Sequence, residues 1–566
     1  ERQIKLCLVY MLMLILAHSV FFLTIAVQGS SHLIPLPQYL TSTTRMMIHR
    51  QEELPNSVVD SESIEDIYMQ IKNDGKWIPK VSTSTFLLTL GVGVPIWMSI
   101  LLPMSMVYQL GKSMFPSSKK TEDTLLYAAV AEEIETESDF NSNIIPLNER
   151  KYDLVLFGAT GFTGKIAAMY LCQQYGAHGD VKWAIAGRSK EKLESVKSEI
   201  AQQLGKSEMM NVDTIIADTN ARETLHNVVK NTRSVASTVG PFALYGSNVV
   251  EFCAKYGTNY VDITGEKEWS KQMIAKWDTL AQKTGAKIIS FCGHDSVPWD
   301  LTQFKLAEAL EQENDDIVTV ECFDEMRSAG ASGGTIETML VGLDGYRAPK
   351  YASDPWIKKS DGSPSQFKTK IQSPLFPERI VSKGSCSQKW LAPFLMTMVN
   401  GEVVKRSMAL KGKGNTTVTY REGMLFDDFK TAFVNTFGLY MGLTALLNPV
   451  SGTLVRKFVI PKPGQGPSMK AMEKGYLCVH GIGTGSKGNV VESAMYFPRD
   501  VGYRETGRIL VESGLCLALD SPKLPVQTGG FFTPSTGMGN ILLDRLCKTG
   551  TLFRCRLYSD ALQSKL

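Results

Sequence analysis

Between residues 152 and 293 six short apolar runs follow one another, each ending in glycine or a polar residue, and nothing else in the chain constrains its folding as tightly. They read D-L-V-L-F-G, V-K-W-A-I-A-G, V-D-T-I-I-A-D, S-V-A-S-T-V-G, Y-V-D-I-T-G and K-I-I-S-F-C-G. Amphipathic stretches of helical length, such as 190–204, 221–230 and 267–284, lie between them. Runs that are apolar throughout, rather than alternating, belong to strands buried on both faces, and the intervening helices supply the cover. Six such units predict an α/β fold with a doubly wound parallel sheet over residues 151–316. After about 316 the rhythm breaks into longer strand-like runs and a glycine-rich S-A-G-A-S-G-G-T, so 317–566 is expected to form a second, mixed α+β domain.

The first turn of the series carries the chemistry. Gly158, Ala159, Thr160, Gly161, Phe162, Thr163 and Gly164 follow the first strand and open a helix. In such a turn the first glycine permits the tight bend, the second lets backbone approach a pyrophosphate, and the third lets helix pack on strand. The free N–H groups of the helix start then face the phosphates. This is the phosphate-binding turn of a Rossmann domain, in the spacing G-x-x-G-x-x-G. A P-loop is excluded, because Ala159 stands where its first glycine would be and Ile166 replaces its Ser/Thr.

The second run ends in Ala186-Gly187-Arg188-Ser189, with Lys192 close by. An NAD enzyme places an acid there for the ribose hydroxyls, whereas a guanidinium suits a 2′-phosphate. Arg188, Ser189 and Lys192 therefore favour NADP over NAD. Asp218, closing the third run, is placed either to meet the adenine edge or to cap a helix. Gly240 and Pro241, after the fourth run, are expected beside the nicotinamide ribose. Tyr245, His294 and Asp295 are the titratable groups nearest the expected hydride position, and Tyr245 and Asp295 are the catalytic candidates. Asp262, Thr264 and Glu266 follow the fifth run.

Composition limits the alternatives. With 60 basic and 57 acidic side chains the net charge is +3, and no basic stripe suggests nucleic acid. The 10 cysteines and 7 histidines are scattered without C-x-x-C or H-E-x-x-H spacing, so neither a disulfide framework nor a metal site is expected. Residues 1–120 read as an N-terminal extension with two apolar segments. Segment 6–27 carries no charge except on His18, and 81–111 carries none. Both exceed the roughly 20 residues that cross a bilayer, with a cleaved signal peptide as the alternative for the first. Residues 121–150 hold eight acidic side chains against Arg150 alone, the pattern of a solvated linker. Within the second domain, 431–455 is uncharged and broken by Asn448-Pro449, which fits either a buried helix pair or a face that docks on lipid.

From 151 onward the chain resembles the saccharopine dehydrogenase-like oxidoreductases. The resemblance rests on D-L-V-L-F-G-A-T-G-F-T-G, A-G-R-S, T-V-G-P-F-A-L-Y-G, Y-V-D-I-T-G-E and H-D-S-V-P-W-D. It continues through S-G-G-T at 332–335, P-G-Q-G-P-S at 463–468 and G-G-F-F-T-P-S at 529–535. It implies a Rossmann domain followed by a saccharopine-reductase-like mixed domain whose last segments return to the first. It also implies association with a membrane or lipid droplet, and kinship with bacterial trans-acting enoyl reductases of glycolipid synthesis. The expectation is thus an NADPH-dependent reductase of a lipid-linked enoyl or carbonyl group at the cytosolic face of an internal membrane or droplet. A saccharopine-type amino-acid dehydrogenase and a non-catalytic NADP(H)-binding lipid-surface protein are its rivals.

Overall fold

The computed structural model describes residues 63–102 and 144–558, apart from 178, 295, 463 and short stretches within 344–366, 382–383 and 412–416. Segment 6–27, the end of segment 81–111, most of the acidic linker and Asp295 lie outside the described residues.

The six apolar runs are six strands: β1 (Tyr152–Phe157), β2 (Trp183–Gly187), β3 (Asp213–Ile216), β4 (Thr232–Ser237), β5 (Asn259–Asp262) and β6 (Lys287–Ile289). All pair in parallel, in the order β6-β5-β4-β1-β2-β3, so the order reverses between β1 and β4. β1 and β5 are buried along their whole length, as their unbroken apolar runs require.

The sheet has a seventh strand that its own third of the chain does not supply. Gly530–Phe532 adds in parallel beside β6, with Phe531 opposite Ile288. The helix Thr506–Leu519 also lies against this sheet. Gly514 allows the approach, since a Cβ there would come 2.5 Å from Leu154 Cδ1, and Gly507 lets the same helix pack on Phe162–Tyr175, where its Cβ would come 3.2 Å from the Ala167 nitrogen.

The second sheet is mixed and eight-stranded. Its order is Leu552–Leu557, Val490–Phe497, Tyr476–Gly485, Ile317–Arg327, Thr417–Phe426, Trp390–Ala392 and Glu378–Arg379, with Lys368–Gln372 pairing off this path. The helix Val297–Gln312 seats on it where Gly481 and Gly483 leave no side chain in the way. A Cβ on Gly481 would sit 2.5 Å from Thr302 Cγ2.

Between its two apolar segments the N-terminal extension contributes a helix, Ile64–Asn73, that the sequence reading did not predict. Ile64, Ile67 and Ile71 recur at helical spacing and bury against Tyr476, Cys478, Ala494 and Tyr496 of the mixed sheet. Arg556 grips Glu65 through both guanidinium nitrogens, at 2.9 and 3.0 Å.

Segment 81–111 is described as far as Leu102, and it is helical: α turns at Thr83–Leu88 and Val94–Ile96 alternate with π turns at Thr89–Gly93 and Trp97–Leu101. Among the described residues no helix is long and apolar enough to cross a membrane. The run instead lies along Phe429–Leu447. Trp97 packs edge-on to Phe437 (centroids 5.8 Å apart), stacks on Tyr440 (6.2 Å), and donates to Thr444 Oγ1 at 2.8 Å. Residues 431–455 thus form a helix pair broken at Asn448-Pro449, whose first helix is largely buried. The apolar surface that faces solvent belongs mostly to the covering run, where Leu87, Leu88 and Ile96 are 60%, 64% and 45% exposed.

Candidate active site

A cavity of about 770 Å3 opens at the carboxyl ends of β1, β2, β4 and β5, where the strand order reverses. Open parallel sheets bind their ligands at this place, because adjacent loops there diverge to opposite faces. The glycine turn forms one wall. Gly158 (φ 94°) takes the left-handed conformation that lets the chain leave β1, and its Cβ would strike Thr238 Oγ1 at 2.7 Å. Gly161 is the N-cap of the helix Phe162–Tyr175 and has no side chain to accept from the first turn, so the amides there face the cavity free. A Cβ on Gly161 would meet only the Gly158 carbonyl, at 3.3 Å. This open cradle at a helix start fits a pyrophosphate.

Of the residues singled out from the sequence, Gly158, Thr160, Gly161, Phe162, Thr163, Arg188, Gly240 and Tyr245 line the cavity. Arg188 stands exposed at the β2 end, and among the described residues nothing pairs with it. Ala159, Gly164, Ser189, Lys192, Asp218 and Pro241 do not line it, and most have a local task. Gly164 is wedged against Gly158 and Ala159, where it closes the turn. Ser189 caps the helix Lys190–Leu204 by accepting from the Lys192 amide at 3.2 Å. Asp218 accepts from the Asn220 amide at 3.0 Å, and its neighbour Thr219 takes the place in the wall. His294 is buried away from the cavity with its amide on Thr506 Oγ1 (3.0 Å), leaving Gly293 as the lining residue.

The opposite end, over β4 and β5, holds groups that spacing alone did not select. Glu266 follows β5 and faces the cavity. Its two carboxylate oxygens accept from the Phe242 and Ala243 amides, each at 2.8 Å. Burial pushes this carboxyl up to about 7, against the pull of those two hydrogen bonds. Asp262, one turn earlier, is fully buried and lifted to about 6 for the same reason, but it is spent on the Thr264 amide and Ser290. Glu266 was visible as the last letter of Y-V-D-I-T-G-E, and only its convergence on the loop after β4 sets it apart.

Tyr503 had no signal in the sequence. Its hydroxyl accepts from the Ser332 amide and lies 3.1 Å from Thr335 Oγ1, tying the S-G-G-T motif to the wall. Its ring meets Phe162 of the glycine turn edge-on, with centroids 5.0 Å apart. Gly466 of P-G-Q-G-P-S lies against the same Phe162. Two of the family-like motifs outside the first sheet thus close over the phosphate cradle.

The remaining wall combines the apolar Met339, Leu395, Met396 and Val399 with Glu268, Glu337 and Thr338. Met339 and Leu395 also pack on the cluster of Trp97, Phe437 and Tyr440. The cavity wall is therefore continuous with the exposed apolar helical run outside. The cations lining the cavity, among the described residues, are Arg188 and Lys267.

Residues 154–289 match the saccharopine dehydrogenase NADP binding domain. The chain is 33% identical over 414 residues to a Mycobacterium tuberculosis protein provisionally named a trans-acting enoyl reductase, covering 71% of this chain and 96% of that one. It is 30% identical over 425 residues to the trans-acting enoyl reductase of Mycobacterium leprae, covering 72% and 98%. Among solved structures, apo saccharopine dehydrogenase (L-Glu forming) from Saccharomyces cerevisiae aligns over 72% of this chain and 99% of that one, with 11% identity and a TM-score of 0.41.

Proposed function

Because the chain belongs to the saccharopine dehydrogenase-like oxidoreductases and carries their NADP-binding domain, we propose that it uses NADPH to reduce a lipid-linked enoyl or carbonyl group. In this reading it works at the cytosolic face of a membrane or lipid droplet. The observation that carries the reading is the apolar wall of Met339, Leu395, Met396 and Val399, facing the β4–β5 end of the cavity. An acyl chain can bury there, whereas a substrate with several carboxylates would need more cations than Arg188 and Lys267.

NADPH, when bound, supplies the hydride. The chain's own residues do the rest. The glycine turn and the helix start behind it hold the pyrophosphate, and Arg188 pairs with the 2′-phosphate. Gly240, without a side chain, lets the nicotinamide half lie close to the loop after β4. Tyr245 lines the same end and remains a proton-donor candidate, as Asp295 does from the loop after β6. The solvent-facing Leu87, Leu88 and Ile96, one helix away from Met339 and Leu395, support docking on lipid with direct entry of an acyl chain.

The test is NADPH oxidation by the whole chain with trans-2-dodecenoyl-coenzyme A and with a long-chain ketone in phosphatidylcholine vesicles. NADPH-dependent turnover of one of them is expected. Absence of turnover with every enoyl and keto lipid offered would remove the reading.

A further inference from the structure

We propose that Glu266 is the acid that protonates the substrate in this reduction. The inference rests on the reductase reading above and names a residue for it. Three features of the site support it. First, Glu266 is fixed: both carboxylate oxygens are bound by successive amides of the loop that follows Gly240 and Pro241. Each oxygen keeps a second lone pair, so the clamp orients the carboxyl without using it up. Tyr245, the other candidate at this end, has no side-chain hydrogen bond to a described residue that would hold it in one place.

Second, Glu266 is at the correct end of the cavity. The cradle for the pyrophosphate lies at β1, and Arg188 draws the adenosine half toward β2. The nicotinamide half must then run over β4 and β5, where Gly240 and Glu266 stand. The apolar wall from Met339 to Val399 faces the same end, so a reacting acyl group lies between nicotinamide and Glu266.

Third, Glu266 can hold a proton near neutral pH. Burial is the main cause, and the charges around it do not reverse the effect. Asp262 on its own loop repels it. Tyr245 stands on the loop after β4, Lys267 and Glu268 begin the helix Lys267–Thr284, and Glu337 comes from the helix Gly333–Leu343. Lys267, the cation next to it in the chain, pairs with Glu402 of the helix Thr397–Lys411 at 3.2 Å. A general acid whose affinity for the proton matches the working pH is the efficient choice.

The step balances. The substrate gains a hydride at one carbon, and the electron pair of its double bond moves to the neighbouring atom. That atom forms a bond to the Glu266 proton, leaving a carboxylate that water reprotonates. NADPH and one solvent proton are consumed for each saturated product.

The experiment uses the whole chain, wild type and Glu266→Gln, with two readouts. Infrared difference spectra with NADP+ bound, taken from about pH 5 to 9, report carboxyl protonation without any substrate. A carboxylic C=O band with a midpoint near neutrality is expected in the wild type and should be missing from the variant. NADPH oxidation with trans-2-dodecenoyl-coenzyme A then reports turnover. The wild-type kcat should fall above that same midpoint, and Glu266→Gln should lose ~100- to 10,000-fold in kcat while its affinity for NADPH is kept. Should that variant fold poorly, Glu266→Asp takes its place: a joint shift of the infrared midpoint and of the kcat limb is expected, and a shift of neither overturns the proposal. Turnover by Glu266→Gln with a wild-type pH profile, or a limb abolished only by Tyr245→Phe, overturns it and leaves the reductase reading standing. Failure of the wild type to oxidise NADPH with any probe overturns the reductase reading, and this proposal with it.

Discussion

Alanine at Gly164 and alanine at Gly161 should damage this protein in opposite ways, although the two glycines belong to one turn. A Cβ on Gly164 would drive into the Gly158 carbonyl and come 2.8 Å from Thr238 Oγ1 and 2.9 Å from Ala159 Cα. Two of these neighbours are backbone held by the sheet, so they cannot move aside cheaply. Overpacking of this kind costs about 1–3 kcal/mol, and the better helix propensity of alanine returns up to ~1 kcal/mol. A net loss of roughly 1–2 kcal/mol, or about 2–8 °C in Tm for a domain of this size, is expected for Gly164→Ala. At Gly161 the added Cβ meets only the Gly158 carbonyl, at 3.3 Å, with φ at −75°, where alanine is at ease. Stability of the ligand-free protein should fall clearly less than in Gly164→Ala, because this single contact needs a shift of only a few tenths of an ångström. The Cβ would, however, project where a pyrophosphate must approach the helix start, and a tenfold or greater rise in the NADPH Kd, ~1.4 kcal/mol or more, should follow. Differential scanning fluorimetry without ligand and fluorescence titration with NADPH measure the two effects separately. Unaltered NADPH binding by Gly161→Ala, or equal thermal losses in both variants, would refute the division of labour argued for the turn.

Three further outcomes follow from the same geometry. Arg188→Asp should reverse a preference for NADPH over NADH in paired titrations, because an acid suits the ribose hydroxyls and repels a 2′-phosphate; equal binding of both by the wild type would undo the assignment. Replacing Leu87, Leu88 and Ile96 together by serine removes exposed apolar side chains without touching Trp97. It should weaken co-sedimentation with phosphatidylcholine vesicles several-fold, and unchanged co-sedimentation would count against lipid docking on this face. Burial lifts Asp262, Asp300 and Asp500 to about 6, above their unfolded values near 4, so the stability they contribute is complete below ~4 and is lost as pH rises through about 6. Glu65 is held at about 2 by Arg556 and works the other way, its contribution disappearing as pH falls through about 2. The Tm should therefore decline between about pH 4 and 6.5, and a Tm that climbs over this interval would show that other groups dominate.

Arg150 shows how far local pattern carries and where it stops. Beside eight acidic residues it reads as the solvated end of a linker. In the fold it is buried, donating to the carbonyls of Ile145, Thr232 and Tyr256 and to Thr258 Oγ1. Apart from Ile145 its partners come from beyond residue 230, and no window around position 150 contains them. The helix Ile64–Asn73 was missed differently: its three isoleucines do have helical spacing, but they sit in a polar stretch beside two long apolar segments that dominate the reading. The segment 431–455 left two outcomes open because hydropathy states that a surface must be covered and not by what. Trp97, more than three hundred residues away, supplies the cover for its first helix.

The glycine turn, the six strands and the arginine at the end of the second were therefore determined by sequence alone. Each depends on neighbours within a few residues: a left-handed bend, a period, a charge where a strand stops. The cavity was decided by tertiary structure. Glu266 matters because β4 and β5 are adjacent, so two amides of one loop converge on a carboxylate of the next. Tyr503, Ser332 and the apolar wall join the site only when the second domain closes over the first. Likewise, Gly530–Phe532 becomes the seventh strand of a sheet that ended more than two hundred residues earlier, pairing along the edge that β6 leaves open.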